Sequence, residues 1–256
     1  MKLKSEILKD KNGKTISIEE YEYNDIGKIE RQDYKDETGN LKFYKTFEYD
    51  ENGNCIKTIE YSGHNEIQVS FEYDYDTNNN QIKAIERTAE GEIWDWTEIV
   101  MEPTSNLKVW IAKDENGKII HKTEENLLDH SEKRFNDKGN LYELHFKKYD
   151  QENRVVEKVI TDANRNEKEK HLYEYQGQKE IWKYILNGST IKTEENVYDK
   201  NKNLLHYIRK DSNGKCLEWY GFEYDEFNNK TKYFWGKEEG KQIGYKTFEL
   251  IYKGST

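Results

Sequence analysis

Along Ile67-Gln68-Val69-Ser70-Phe71-Glu72-Tyr73-Asp74-Tyr75, every odd position is apolar or aromatic and every even position is polar. A period of two is that of a β-strand with one face covered. Such runs alternate with clusters centred on Gly or Asn, for example Asp50-Glu51-Asn52-Gly53-Asn54 and Asp114-Glu115-Asn116-Gly117-Lys118. Asn-Gly pairs supply the positive φ angles of a tight hairpin, so each cluster predicts a chain reversal between antiparallel neighbours.

The reversals keep time. Gly13, Gly39, Asn65, Gly91 and Gly117 lie 26 residues apart, and an interleaved series, Gly27, Gly53, Asn79, Ser105 and Ser131, has the same period. The rhythm returns as Gly188, Gly214, Gly240 and as Lys202, Asn228, Gly254. It slips between Ser131 and Gly139 and again between Arg165 and Gly188. About nineteen turns and twenty strands of roughly seven to nine residues follow, lengths ordinary for strands and too short for helices with connections. Even spacings place equivalent residues on one face. Tyr23, Tyr49, Tyr61, Tyr75, Phe135, Tyr149, Tyr198 and Tyr224, with Tyr21, Phe47, Tyr73 and Phe222 two residues earlier, are therefore expected to form a ladder of rings. Cross-strand aromatic pairs contribute about 0.2 to 1 kcal/mol each.

The predicted fold is all-β: an elongated, curved antiparallel β-meander of about 20 short strands, built from 26-residue two-strand repeats. Its axis would approach 95 Å, taking roughly 4.8 Å per strand. A β-propeller is the alternative. The array reads as one continuous unit over 1–256, with a phase break or kink near 127–139 dividing an N-terminal array (1–131) from a C-terminal one (132–256). Lys122-Thr123-Glu124-Glu125-Asn126 recurs as Lys192-Thr193-Glu194-Glu195-Asn196, pointing to duplication of a multi-strand block.

Composition agrees with a thin, surface-rich fold. Only 34% of residues are hydrophobic and 36% are charged, yet 20 Tyr, 9 Phe and 6 Trp set the chain apart from disordered sequences. The one proline is Pro103, as suits a sheet whose strands must all donate hydrogen bonds. Cys55 and Cys216 sit too far apart in an elongated array to bridge, and are expected to be reduced thiols. With no apolar stretch long enough for a membrane helix and no signal-peptide core, the expected compartment is the cytoplasm, without membrane contact. The net charge of −10 argues against a nucleic-acid partner and favours a basic one.

The units Tyr49-Asp50-Glu51-Asn52-Gly53-Asn54, Tyr149-Asp150-Gln151-Glu152-Asn153-Arg154 and Tyr198-Asp199-Lys200-Asn201-Lys202-Asn203-Leu204 resemble the Tyr-Asp repeats of the bacterial Rhs family. Phe135-Asn136-Asp137-Lys138-Gly139-Asn140-Leu141 is a looser copy. The broader pattern of aromatic strand, Asn-Gly-Lys turn and strand is similar to MORN-like repeat proteins, including bacterial ones classed as antitoxins or immunity proteins. The resemblance implies a hairpin-repeat fold and a role in occluding a protein partner. The 26-residue period is longer than either family's, and the chain is short for the closed shell of a large Rhs protein.

Motifs for chemistry are absent. The six histidines show no zinc spacing, neither cysteine has a Cys-x-x-Cys partner, and no phosphate loop or nucleophile elbow occurs. Asp76-Thr77-Asn78-Asn79-Asn80 and Asp162-Ala163-Asn164-Arg165-Asn166 open like calcium loops, but Arg87 stands twelfth from Asp76, where a bidentate Glu is needed. Neither a metal nor a cofactor is expected, and the chain reads as a non-enzymatic protein. The candidate partner-binding residues are aromatic: Trp94, Trp96, Trp110, Trp219, Trp235, Tyr49 and Tyr75. An immunity- or antitoxin-like protein that occludes a basic toxin or effector domain is the favoured function. A carbohydrate-binding module using the aromatic platforms, or a structural scaffold or spacer, is the alternative.

Overall fold

The computed structural model describes residues 2–102, 106–239 and 241–253. The chain forms β1 (Lys2–Lys9), β2 (Thr15–Tyr23), β3 (Ile29–Asp36), β4 (Leu41–Tyr49), β5 (Cys55–Ser62), β6 (Ile67–Tyr75), β7 (Gln81–Arg87), β8 (Ile93–Glu102), β9 (Leu107–Asp114) and β10 (Ile119–Asn126). There follow β11 (Glu132–Phe135), β12 (Leu141–Tyr149), β13 (Val155–Asp162), β14 (Glu167–Gln176), β15 (Lys179–Leu186), β16 (Ser189–Tyr198), β17 (Leu204–Asp211), β18 (Cys216–Tyr224), β19 (Lys230–Gly236) and β20 (Gly244–Lys253). Each strand pairs antiparallel with its successor, so the expected meander of twenty strands is present.

The sheet is not open. β1 pairs with β2 on one side and with β20 on the other, in the register Ile7↔Glu249 and Leu8↔Phe248. The meander thereby closes into a β-barrel, which corrects both the elongated sheet and the propeller alternative. The physical reason is the edge: an open meander leaves two rows of unpaired amides and carbonyls, and closure pairs both. The length expected of an axis becomes a circumference, giving a ring roughly 30 Å across from about 4.8 Å per strand. Among the described residues, strands touch only their neighbours around this ring. A barrel of this strand number is too wide for its own side chains to fill.

Most reversals share one construction, shown at Asp50. The Gly53 amide donates to the Asp50 carbonyl, the Asp50 amide donates to the Asn54 carbonyl, and the Asp50 carboxylate accepts from the Asn52 and Asn54 amides at 3.0 and 2.8 Å. This is a type I turn closed by a bulge residue with positive φ: +80° at Gly53, 63° at Asn79, 68° at Lys202. The Asn54 side-chain amide and the turn amides hold the Asp50 carboxyl below its usual range, and Asn80 and Asn166 do the same for Asp76 and Asp162. Expected turn centres therefore coincide with left-handed residues, with one shift: His130 rather than Ser131 has the positive φ, in a loop one residue longer. Ser105, Gly240, Gly254 and Pro103 lie outside the described residues.

The phase slips have local causes. At 127–139 the sheet passes through β11, a strand of only four residues. Between Arg165 and Gly188 the three-residue loops give way to two-residue hairpins, Gly177-Gln178 and Asn187-Gly188.

Candidate functional site

The strand register sorts the barrel's side chains into two chemically different faces. On one, Phe47 lies opposite Thr58 and Thr58 opposite Phe71, and this face carries Tyr21, Tyr34, Tyr73, Tyr173, Tyr207, Tyr220 and Tyr233. Its charges are mostly acidic, among them Glu6, Glu19, Glu60, Glu86, Glu132, Glu180, Glu194 and Glu218. On the other, Glu48 lies opposite Lys57 and Lys57 opposite Glu72, and lysine and arginine outnumber the acids among aliphatic neighbours. We call these the tyrosine face and the lysine face.

Each face has its own repeating interaction at its own rim. Five even-numbered strands carry at or next to their ends a tyrosine whose hydroxyl donates to a carbonyl 20 residues earlier: Tyr23 to Leu3 (2.7 Å), Tyr49 to Ile29 (2.7 Å), Tyr75 to Cys55 (2.9 Å), Tyr175 to Val155 (2.9 Å) and Tyr224 to Leu204 (2.9 Å). At the opposite rim, odd-numbered strands place a cation on the lysine face that pairs with a glutamate 15 residues earlier. The pairs are Lys35–Glu20 (2.6 Å), Arg87–Glu72 (2.9 Å), Lys113–Glu98 (2.8 Å) and Lys210–Glu195 (2.6 Å). The expected ladder of rings is split accordingly. Tyr61 and Phe135 end odd strands and belong to the lysine face, where Tyr61 stacks on Tyr44 at 4.6 Å.

The seven candidate binding residues do not converge. Trp94 and Trp96 share the lysine face, Trp94 standing 63% exposed and Trp96 lying between Lys83 and Lys113 at 5.2 and 4.0 Å. Trp219, on that face, is 6% exposed and meets Phe234 edge-on. Trp110 and Trp235 are on the tyrosine face, covered by Lys108 at 4.7 Å and stacked on Tyr233 at 5.4 Å. Tyr49 and Tyr75 are tied down by their carbonyl bonds at the rim.

The richest grouping is on the tyrosine face of β11 to β16, in strands to which sequence reasoning assigned no site residue. His145 is 1% exposed; its Nε2 lies 3.0 Å from Glu143, and its Nδ1 lies 3.4 Å from Glu132 without a hydrogen-bond partner. Burial pushes the imidazole's pKa down. Glu132 also holds Lys147 at 2.6 Å. Two strands on, Trp182 donates to His171 Nδ1 (3.0 Å), sits opposite Tyr173, and lies under Lys192 at 4.4 Å. Tyr173, Tyr175, Glu180, Trp182 and Glu194 line a cleft of about 330 Å³. The broken rhythm between Arg165 and Gly188 was the signal that marked this region. Among the described residues no group of three or more His, Cys, Asp or Glu is placed to hold a metal ion, and Cys55 and Cys216 are free thiols.

The sequence matches no protein-family model and no curated protein. Among solved structures, a porin-like protein from Bacteroides uniformis ATCC 8492 is similar with 9% identity over 97% of this chain and 98% of its own, at a TM-score of 0.43. A porin-like protein from Bacteroides vulgatus ATCC 8482 has 11% identity, 99% coverage of both chains and a TM-score of 0.30. The complex TcdB2-TccC3-TEV is matched over 88% of this chain but 16% of its own, with 11% identity and a TM-score of 0.25. Similarities this low carry no functional argument.

Proposed function

We propose that the barrel is a non-enzymatic binding protein whose tyrosine face lines the lumen and receives a basic protein segment, in the manner of an immunity protein or antitoxin that occludes its partner. The carrying observation is the segregation of charge and aromatic rings between the two faces. Acids and tyrosines concentrate on one, and a cation is drawn to acids in a low-dielectric recess and to aromatic rings together.

Two observations support placing that face inside. Burial is the leading cause of the pKa shifts at Glu6, Tyr21, Tyr34, Tyr73, Tyr173 and Lys158, as a concave surface with converging neighbours requires. On the lysine face, Glu72, Glu157 and Lys210 are shifted first by their ion-pair hydrogen bonds, with burial the first cause at Arg31 and Glu195. Most strongly exposed apolar strand residues, including Ile16, Trp94, Tyr142, Phe146, Ile191 and Leu217, also belong to the lysine face.

The barrel works in water on this reading, consistent with a cytoplasmic location. A bilayer-spanning barrel presents an outward apolar band about 25 Å tall. Here both faces carry ions at strand centres: Lys45 and Glu60 face one another on the tyrosine face, and Arg31, Asp33 and Lys57 stand on the lysine face.

The test is binding of poly-L-lysine and poly-L-glutamate of matched length, followed by calorimetry at rising salt. The polycation should bind and be released by salt, and Glu19→Gln with Glu60→Gln should weaken it several-fold more than Glu72→Gln with Glu223→Gln. Equal weakening by the two pairs would place the binding surface elsewhere.

A further inference from the structure

We infer that the cleft between β14, β15 and β16 on the tyrosine face is a subsite for a single cationic group, the ammonium or guanidinium of a lysine or arginine side chain. This rests on the proposed tyrosine-face binding role and assigns its anchor point.

The repeat changes at β16. At Tyr23, Tyr49 and Tyr75 the hydroxyl is spent on the carbonyl 20 residues back. At Tyr198 the corresponding carbonyl, that of Gln178, is taken by the Tyr198 backbone amide at 2.9 Å, because two-residue hairpins have replaced the bulged loops on both sides of β15. The hydroxyl is released and donates instead to Glu180 Oε2 at 3.1 Å. Glu180 stands opposite Tyr175 on β14 and Asn196 on β16. Among the described residues it has no cationic partner, while Glu194 beside it is neutralised by Lys192 at 3.0 Å. A carboxylate oriented by a phenol, flanked by the rings of Tyr173, Tyr175 and Trp182, is what recognition of an organic cation requires.

The chain already places its own cations on these rings. Lys192 lies 4.4 Å from the Trp182 ring and Arg154 lies 4.4 Å from that of Tyr175. Each is also held by acids of its own, Glu194 for the first and Asp150 with Glu152 for the second, which leaves the Glu180 carboxylate for an incoming charge. On its rim side Glu180 borders a second cleft, of about 460 Å³, whose lining includes Arg154, Lys200 and Lys202. Those cations repel a second positive group, so the subsite takes one charge, pointing inward.

The experiment uses the full chain and two blocked tripeptides, acetyl-Gly-Arg-Gly-amide and its citrulline counterpart, with affinity read by calorimetry and by tryptophan fluorescence. The arginine peptide should bind and perturb the emission, with the citrulline peptide weaker by about tenfold or more. Glu180→Gln should remove that difference with the melting temperature unchanged, Tyr198→Phe should reduce it, and Trp182→Phe should abolish the fluorescence response. Equal binding of the two peptides, or an unchanged preference in Glu180→Gln, would overturn the assignment. If poly-L-lysine still depends on Glu19 and Glu60 in that case, only the subsite falls; if it does not, the lumenal reading falls with it.

Discussion

From β2 to β7 the chain repeats itself almost without variation, whereas from β14 to β16 the same parts are used differently. In the first stretch each turn is an Asp-, Asn- or Ser-capped bulged loop, and each tyrosine closing an even strand bonds the carbonyl 20 residues earlier. In the second, two-residue hairpins shorten the turns, a backbone amide takes that carbonyl at Gln178, and the Tyr198 hydroxyl moves to a carboxylate. The regular tyrosine is thus a structural clamp. Its irregular counterpart, Tyr198, is released from that carbonyl, and the change goes with loop length rather than with the tyrosine itself.

This contrast can be broken in order of effect. The largest is expected where β18 and β19 approach most closely: a Cβ at Gly221 would fall within the Phe234 ring, so Gly221→Val should cost about 3 kcal/mol, read from denaturant unfolding. Next comes the left-handed bulge position. Gly39→Ala at φ +86° should cost about 1 to 2 kcal/mol with open space around it, so the loss isolates backbone strain. Tyr75→Phe should cost about 1 kcal/mol by removing the clamp to Cys55. Tyr198→Phe should cost less than Tyr75→Phe, since no backbone carbonyl is left unpaired; an equal loss would erase the distinction between clamp and freed tyrosine.

The strands and turns were legible because both are local. Period-two alternation marks a strand wherever it lies, and among the described residues the left-handed turn positions are Gly or Asn, with Lys202, Arg165 and His130 as exceptions. Closure was not legible, since the residues of β1 and β20 carry no sign of a partner more than two hundred positions away. Face membership was hidden for a different reason: at most hairpins the facing residues have numbers of opposite parity, so even-numbered residues change face from one strand to the next. Trp94, Trp96 and Trp110 all have even numbers, yet Trp110 pairs opposite Ile99 and so joins the face that Trp94 and Trp96 do not occupy. The grouping around His145, His171 and Trp182 escaped notice because its members come from separate strands and share no spacing motif.

Acid should act on the molecule in two stages. The His145 pKa is lowered by burial, so its contribution is complete above the unfolded value of about 6.5 and is lost as pH falls from there through the folded value. The turn carboxyls of Asp50, Asp76 and Asp162 have the same sign lower down: their folded values lie below the unfolded value of about 3.9, and their contribution disappears as pH falls through the folded ones. Melting temperatures measured from pH 8 to pH 3 should decline first below about 6.5 and again below about 4. His145→Gln should weaken the first decline, and His145→Gln with His171→Gln, whose imidazole is also lowered by burial, should remove it while leaving the second.

The account depends most on the pairing of β1 with β20. In a background of Cys55→Ala and Cys216→Ala, cysteines introduced as Ile7→Cys and Glu249→Cys occupy facing positions across that seam. They should form an intramolecular disulfide on mild oxidation, in dilute solution and with the chain monomeric. Failure to form it, or a bond found only between molecules, would mean that the first and last strands lie at opposite ends of an open sheet.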